Sequence, residues 1–277
     1  MDIKSIKSAR EKKEILVSML KEMPSLLVAF SGGVDSSFLL AVAYDALKDR
    51  VIAATADSIT FPSREKEEAI EFAAKLGIGH IVFQSDESTI PEFIANGADR
   101  CYFCKRSLSK ELIKIAADRD IEKIAFAANM DDLGDYRPGI DAAKEMGIIS
   151  PLIDAGLGKE EIRFLAKEMG LVTWDKPAMA CLASRIPYGT PITIEKLKTV
   201  EDSEDFLFRM GFKQLRVRHH GPVARIETSE MQFRRFLNKD IRKKVVERFK
   251  ELGFKYVSLD LEGFVSGSMN RTLTDEH

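Results

Sequence analysis

Residues 26–37 read Leu26-Leu27-Val28-Ala29-Phe30-Ser31-Gly32-Gly33-Val34-Asp35-Ser36-Ser37. An apolar run stops abruptly at Ser-Gly-Gly, and a hydroxyl-rich segment then opens an apolar helical pattern. That order predicts a buried strand, a tight loop and a helix N-terminus. In such a loop the backbone N–H groups converge with the helix dipole on an anion. Glycine lets the backbone approach a phosphate closely, and the hydroxyls of Ser31, Ser36 and Ser37 add donors. A Walker-type loop carries Lys followed by Ser or Thr after its second Gly. This loop has no Lys, so a pyrophosphate is expected to be held by amides and hydroxyls. Asp35 sits inside the loop. A carboxylate beside phosphates is unfavourable unless a divalent cation lies between them, which implies Mg²⁺; the helix dipole also favours an acid there.

Outward from this stretch, the periodicity predicts a helix at 5–22 and then, after the loop, helix 36–47, strand 51–56, helix 62–76 and strand 79–83. A short helix near 88–95 leads to a cysteine pair and a helix over 103–118 leads away from it. Strand 121–127 and helices at 138–146 and 158–169 follow. Alternation of this kind predicts an α/β fold, a parallel sheet with helices on both faces. Ligands bind such sheets beyond the carboxyl ends of the strands. The loop at 31–35, Asp57 with Ser58, and Asn129–Asp132 all fall there. Past residue 172 the pattern becomes α+β: helix 193–210, strands 213–219 and 222–228, helices near 229–237 and 239–251, and strand 254–260. The expected organisation is a nucleotide domain at 1–172, an ordered loop at 173–191 rich in Pro and Gly, and a smaller C-terminal α+β domain at 192–277.

Composition narrows the function classes. The formal net charge of −2 argues against obligate binding of long nucleic acid, which needs a basic excess. No apolar run reaches the length of a membrane span, and the charged N-terminal stretch lacks a signal core. A cytoplasmic protein is expected, acting as a homo-oligomer.

The cysteines are Cys101, Cys104 and Cys181. An odd count without a signal sequence does not suggest a disulfide framework. Cys101-Tyr102-Phe103-Cys104 is compatible with a redox dithiol, zinc or an iron–sulfur centre, but structural zinc wants four ligands and no second Cys or His pair has suitable spacing. Three thiolates would hold a [4Fe–4S] cluster and leave one iron open for an extra sulfide or a substrate. The alternative is two helix-facing cysteines and one buried cysteine; the cluster is the favoured reading because these are the only cysteines present. In Arg216-Val217-Arg218, strand alternation places both guanidiniums on one face, which suits a phosphate or carboxylates.

The segment SGGVDSS at 31–37 resembles the PP-loop of the ATP pyrophosphatase superfamily, whose members cleave ATP between the α and β phosphates and adenylate a substrate. That resemblance implies that Ser31, Gly32, Gly33, Asp35, Ser36 and Ser37 bind the phosphates and that Asp57 and Ser58 lie near the nucleotide. Lys176-Pro177-Ala178-Met179-Ala180-Cys181-Leu182-Ala183-Ser184-Arg185-Ile186-Pro187-Tyr188-Gly189, together with Asp135-Tyr136-Arg137-Pro138-Gly139, resembles the LarE family of ATP-dependent sulfur transferases, and the likeness runs from the phosphate loop to Asn270. It implies adenylation of a carboxylate on a pyridinium dicarboxylate mononucleotide and its conversion to a thiocarboxylate, in nickel-pincer nucleotide biosynthesis. It also implies catalytic roles for Asp35, Cys181, Ser184 and Arg185, with Arg185 on the phosphates, and substrate-phosphate binding at Arg216 and Arg218. Glu204 and Glu227 match family acids at substrate or metal. Cys101, Cys104 and Cys181 match a subgroup carrying [4Fe–4S]. A second subgroup sacrifices a cysteine sulfur, but its donor position corresponds to Ala180 here, which favours sulfur delivered through the [4Fe–4S] cluster, with sulfide or a sulfur-donor protein as the partner that supplies it. Val265 stands where family members often have Arg.

Three rival readings remain open on the residues. A tRNA-thiolating enzyme would share the loop but usually adds an RNA-binding module and a basic surface. An amidotransferase-like ligase such as NAD synthetase has no need of three thiols. A non-enzymatic ATP sensor would not turn the nucleotide over.

Overall fold

The structure is a computed structural model that describes residues 2–134, 138–177, 180–265 and 268–271. Of the motifs quoted above, Asp135–Arg137, Ala178, Met179, Ser266 and Gly267 lie outside the described residues. The chain divides into two compact units: residues 1–87 with 101–179, and residues 88–100 with 180–277.

The first unit runs α1 (Ile3–Lys21), β1 (Leu26–Ala29), α2 (Val34–Leu47), β2 (Val51–Ser58), α3 (Ser63–Leu76) and β3 (Gly79–Ser85). The segment at 88–100 contributes the short α4 (Pro91–Ile94) to the other unit. The first unit resumes within α5 (Arg100–Ala117) and continues through β4 (Lys123–Ala125), α6 (Pro138–Glu145), α7 (Pro151–Asp154) and α8 (Lys159–Glu168). The four strands lie in the order β3-β2-β1-β4, all parallel, with Leu26 opposite both Val51 and Lys123. Ile149 adds a single parallel bridge beside Ala125. The order reverses between β1 and β4, so the crevice beyond their carboxyl ends is the topological switch point where such sheets bind ligands.

Alternation along β1 builds both layers. Leu26 and Val28 join a core made with α1, α2 and α8 (Leu16, Phe38, Leu165), whereas Leu27 faces Leu112 and Ala116 of α5 and Ala143 of α6. Helix α2 follows the central strand and is buried nearly all round, with Phe38, Leu39, Leu40 and Ala43 fully enclosed. Two local features differ from the sequence expectation. Helix α5 starts at Arg100, three residues earlier than expected, so Cys101 as well as Cys104 sits inside its first turns. The spacing of Cys104, Leu108, Leu112 and Ala116 continues one helical face back through the pair. Strand β4 is only Lys123–Ala125 because the chain turns away after Phe126, whose N–H is taken by the Ile149 carbonyl.

The second unit continues with α9 (Ile194–Arg209), β5 (Leu215–His220), β6 (Val223–Thr228), α10 (Glu230–Phe233), α11 (Lys239–Glu251) and β7 (Tyr256–Leu259). The β5–β6 pair is antiparallel and the β6–β7 pair parallel. Leu207, Phe212, Val217, Ile226, Val245 and Phe249 form its core. The segment at 88–100 belongs here because fully buried Asn96 donates to the carbonyls of Pro187 and Thr190, both at 2.8 Å, pinning the loop at 186–192.

Candidate functional site

At the carboxyl end of β1, Gly32 has φ +65°, a conformation side chains disfavour, and a Cβ there would stand 3.2 Å from Ala69 Cβ of α3. This close approach lets the loop fold tightly over the sheet edge. Gly33 leads into α2 without any side-chain cap, so the amides of the first turn remain open for an anion. The loop's hydroxyls hold it in shape: Ser36 Oγ lies 3.1 Å from Ser31 Oγ and donates to the Gly33 carbonyl at 3.2 Å. Ser37 Oγ is fully buried and finds no hydrogen-bond partner among the described residues.

Asp35 lies in the first turn of α2. One carboxylate oxygen is paired with Lys159 Nζ, and the other, Oδ1, is buried with no hydrogen-bond partner among the described residues. Burial pushes the Asp35 carboxyl up from its ordinary value, against the opposing pull of Lys159. Lys159 opens α8 after its N-cap residue Gly158, and its own N–H donates to Asp131 at 2.6 Å. Asp131 is fixed in turn by buried Asn129, whose Oδ1 accepts the Asp131 N–H at 2.9 Å. Lys176 reaches the Gly32 carbonyl at 3.1 Å and is tied at 2.6 and 2.7 Å to Glu65 and Glu68 of α3. Two lysines from later in the unit thus flank a loop that has none of its own.

At the end of β2, Asp57 pairs with Lys66 at 2.7 Å and Gln84 at 3.0 Å, and the Lys66 hydrogen bond holds its carboxyl below the usual range. Ser58 donates to buried Glu87 at 2.6 Å. Glu87 also accepts from Ser85 at 2.9 Å and lies 3.9 Å from Cys104 Sγ. Cys101 is exposed, and Cys104 is half-buried one helical turn further on.

The second unit holds a compact charged cluster. Arg185 is fully buried. It grips Glu204 with two bonds of 2.9 Å and donates through Nη1 to the carbonyls of Ala180 and Cys181 and to Ser184 Oγ. These donors clamp the loop that presents Cys181 and Ser184. Cys181 itself is exposed. Arg218 is bidentate on Glu227 at 2.9 and 2.6 Å and also donates to the Ser184 carbonyl. Arg225 bridges Glu227 and Asp260. Arg216, on the same face of β5, lies 5.0 Å from the Phe264 ring centroid. Burial, reinforced by the charges of Arg185 and Arg218, lowers the Arg216 pKa to about 10. Burial alone would raise the carboxyl of Glu204, but Arg185, Arg216 and the Val217 N–H outweigh it and the net direction is down. Four guanidiniums thus face three carboxylates (Glu204, Glu227, Asp260), an excess of positive charge suited to an anionic ligand.

Sequence reasoning missed Lys159, Lys176 and Glu87. Lys159 was accessible in principle: in a wound α/β sheet the crossover helices begin at the carboxyl edge, so the first residue of α8 belongs to the crevice. Lys176 lies in an irregular segment and carries no such signal. Among the described residues, no three His, Cys, Asp or Glu side chains gather as a metal site, and no helix is long and apolar enough to cross a membrane.

The NAD synthase family model matches residues 10–97, the stretch that holds β1, the loop and α2. The chain is 39% identical to a pyridinium-3,5-bisthiocarboxylic acid mononucleotide synthase of Lactiplantibacillus plantarum, with 95% of each chain covered. It is 43% identical to an uncharacterised protein of Synechocystis sp., over 95% of this chain and 98% of that one. A tRNA-specific 2-thiouridylase of Rickettsia africae is 27% identical, over 58% of this chain and 54% of its own length.

Proposed function

Because the chain belongs to the LarE family of ATP-dependent sulfurtransferases, we propose that it adenylates a carboxylate of pyridinium-3,5-biscarboxylic acid mononucleotide and converts it to a thiocarboxylate for a nickel-pincer nucleotide cofactor. The observation that carries this reading is the glycine loop at the sheet's switch point: open amides at the start of α2, and a buried Ser37 hydroxyl and one Asp35 oxygen that have no hydrogen-bond partner among the described residues.

The chemistry follows from that arrangement. A carboxylate is a poor electrophile. Attack of its oxygen on the α-phosphorus of ATP expels pyrophosphate and yields an acyl adenylate, from which AMP departs readily. Ser31, Gly32, Gly33, Ser36 and Ser37 receive the departing pyrophosphate with backbone and hydroxyl donors. The orphaned Asp35 oxygen fits a hard divalent cation, so Asp35 would hold Mg²⁺, which supplies charge neutralisation on the phosphates. Asp57 and Ser58 border the nucleotide from β2. In the second unit, the surplus charge at Arg216 and Arg218 supports binding of the substrate's phosphate or carboxylate groups. Ser184 stands beside this cluster, held by Arg185 and Arg218, and with Cys181 and Arg185 belongs to the proposed catalytic set.

Sulfur enters as sulfide or from a donor protein. A [4Fe–4S] cluster on Cys101, Cys104 and Cys181 belongs to the same proposal, supported by the chain's three cysteines and the family likeness. Cys101 and Cys104 offer two thiols from one helical turn, and Cys181 belongs to the other unit. The described residues do not gather three ligands, and no step above passes through the cluster. The test is to incubate the protein anaerobically with ATP, Mg²⁺, sulfide and the pyridinium dicarboxylate mononucleotide. Mass spectrometry should show exchange of a carboxylate oxygen for sulfur together with AMP and pyrophosphate. Thiolated tRNA from the same protein, and no thiocarboxylate, would overturn the assignment.

A further inference from the structure

We propose that Cys101 and Cys104 form a dithiol–disulfide site, which closes an internal bridge by exchange with a small-molecule disulfide and reopens with a dithiol reductant. Three observations lead to it. First, Cys101-Tyr102-Phe103-Cys104 lies in the first turns of α5, within one compact unit. Second, the two sulfurs are unequal. Cys101 is exposed and Cys104 half-buried, so an incoming disulfide meets the outer one first. Third, the inner thiol has a fixed place. Cys104 Sγ donates to Glu87 Oε1 at 3.9 Å, and buried Glu87 is held in turn by Ser85 at 2.9 Å and Ser58 at 2.6 Å. Core packing does not account for the pair, because its outer member is exposed.

Helix geometry permits the bridge at this end of α5. Side chains three residues apart on a helix stand about 5–6 Å apart at Cβ, and a disulfide needs about 3.5–4.5 Å. The pair must therefore close by about 1–2 Å. The first turn of a helix can yield by that much, because its leading N–H groups have no intrahelical acceptors to lose. The Cys101 sulfur attacks one sulfur of a disulfide of the oxidised glutathione class, breaks its S–S bond and releases one thiol. The Cys104 sulfur then attacks Cys101 Sγ, closes the internal bond and releases the second thiol. The two protein thiols are oxidised, the small disulfide is reduced, and the two protons leave on the released thiols. A bridged pair has no thiolate to offer a metal, so the proposed iron–sulfur cluster can load only on the reduced chain. That consequence, unlike the bridge itself, rests on the assignment of these thiols as cluster ligands.

The test takes the full chain, iron-free and reduced, incubates it anaerobically with oxidised glutathione, alkylates it and digests it with trypsin. Cleavage after Arg100 and Lys105 isolates both cysteines in one peptide, Cys101–Lys105. Mass spectrometry should find that peptide unalkylated and lighter by a pair of hydrogens, and dithiothreitol should restore alkylation at Cys101 and Cys104. With limiting alkylating agent, the reduced chain should label Cys101 at least about tenfold faster than Cys104. In Cys104→Ser the exchange should stop halfway, as a lasting glutathione adduct on Cys101. In Cys101→Ser the adduct on Cys104 should form about tenfold more slowly. Separate adducts on both thiols of the wild type with no internal bridge, or a bridge from either one to Cys181, would overturn the proposal. Iron uptake separates this site from the cluster assignment. If the bridge forms but the reduced chain binds no iron on anaerobic reconstitution, only the cluster assignment fails. If the reduced chain binds iron but no bridge forms, only the dithiol site fails. Where both hold, the bridged chain should take up less than about a tenth of the iron until dithiothreitol is added.

Discussion

Removing the guanidinium of Arg185 by Arg185→Met would strip Glu204 of its principal partner in a place with almost no water. Both side chains are nearly inaccessible, at 0% and 4% exposure, and the pair is bidentate at 2.9 Å. Breaking a buried pair by deleting one partner costs about 3–5 kcal/mol. Glu204 would keep the Val217 N–H at 2.9 Å and the nearby charge of Arg216, which places the expected loss toward the lower end, about 3 kcal/mol. That corresponds to roughly two orders of magnitude in the opening equilibrium of α9 and β5. Native-state hydrogen exchange reads this locally, without assuming that both units unfold together. The double variant Arg185→Met/Glu204→Met replaces the pair with apolar side chains and should recover more than half of the loss, since the uncompensated carboxylate is gone. The Ala180 and Cys181 carbonyls still lose their donor, so recovery should stop short of complete. A single-variant loss under about 1 kcal/mol, or a double variant worse than the single, would refute the view that Arg185 is a structural clamp.

Other outcomes follow from the same geometry. Gly32→Ala forces a side chain into a positive-φ position and against Ala69; it should cost about 1–2 kcal/mol and weaken Mg–ATP binding, measured by thermal melts and calorimetry. Glu204 has a folded-state value below the ordinary 4.5, so the stability it contributes is fully present above that pH and is lost as pH falls through its lower folded value. Protection of the β5 amides should therefore drop in acid in the wild type, with a weaker pH dependence in Glu204→Gln. Cys101→Ala, Cys104→Ala and Cys181→Ala should each lose iron after anaerobic reconstitution while still forming AMP with substrate. Full iron loading in any of the three would remove that cysteine from the proposed ligand set.

The nucleotide half of the molecule was the more legible in sequence. An apolar run broken by Ser-Gly-Gly at 31–33 announces both β1 and its loop, because buried parallel strands are continuous in hydrophobicity and glycine marks the tight approach. The strands that flank it were recognisable by the same periodicity. What escaped was placed by tertiary contact. Lys159 and Lys176 meet the loop from more than a hundred residues away, and Glu87 is an unremarkable acid until the fold buries it beneath Ser58. In the C-terminal unit, strand alternation correctly put Arg216 and Arg218 on one face, yet could not show that Arg218 is already held by Glu227. The same limit applied to Arg185, whose burial and pairing with Glu204 lie in packing rather than in local pattern.

The adenylation claim is tested most directly with substrate carrying oxygen-18 in its carboxylates. Turnover with ATP, Mg²⁺ and sulfide should deliver one labelled oxygen into the phosphate of the AMP formed, since the carboxylate oxygen attacks the α-phosphorus and leaves with it. Unlabelled AMP accompanying thiocarboxylate formation, or release of ADP and phosphate instead, would contradict the account.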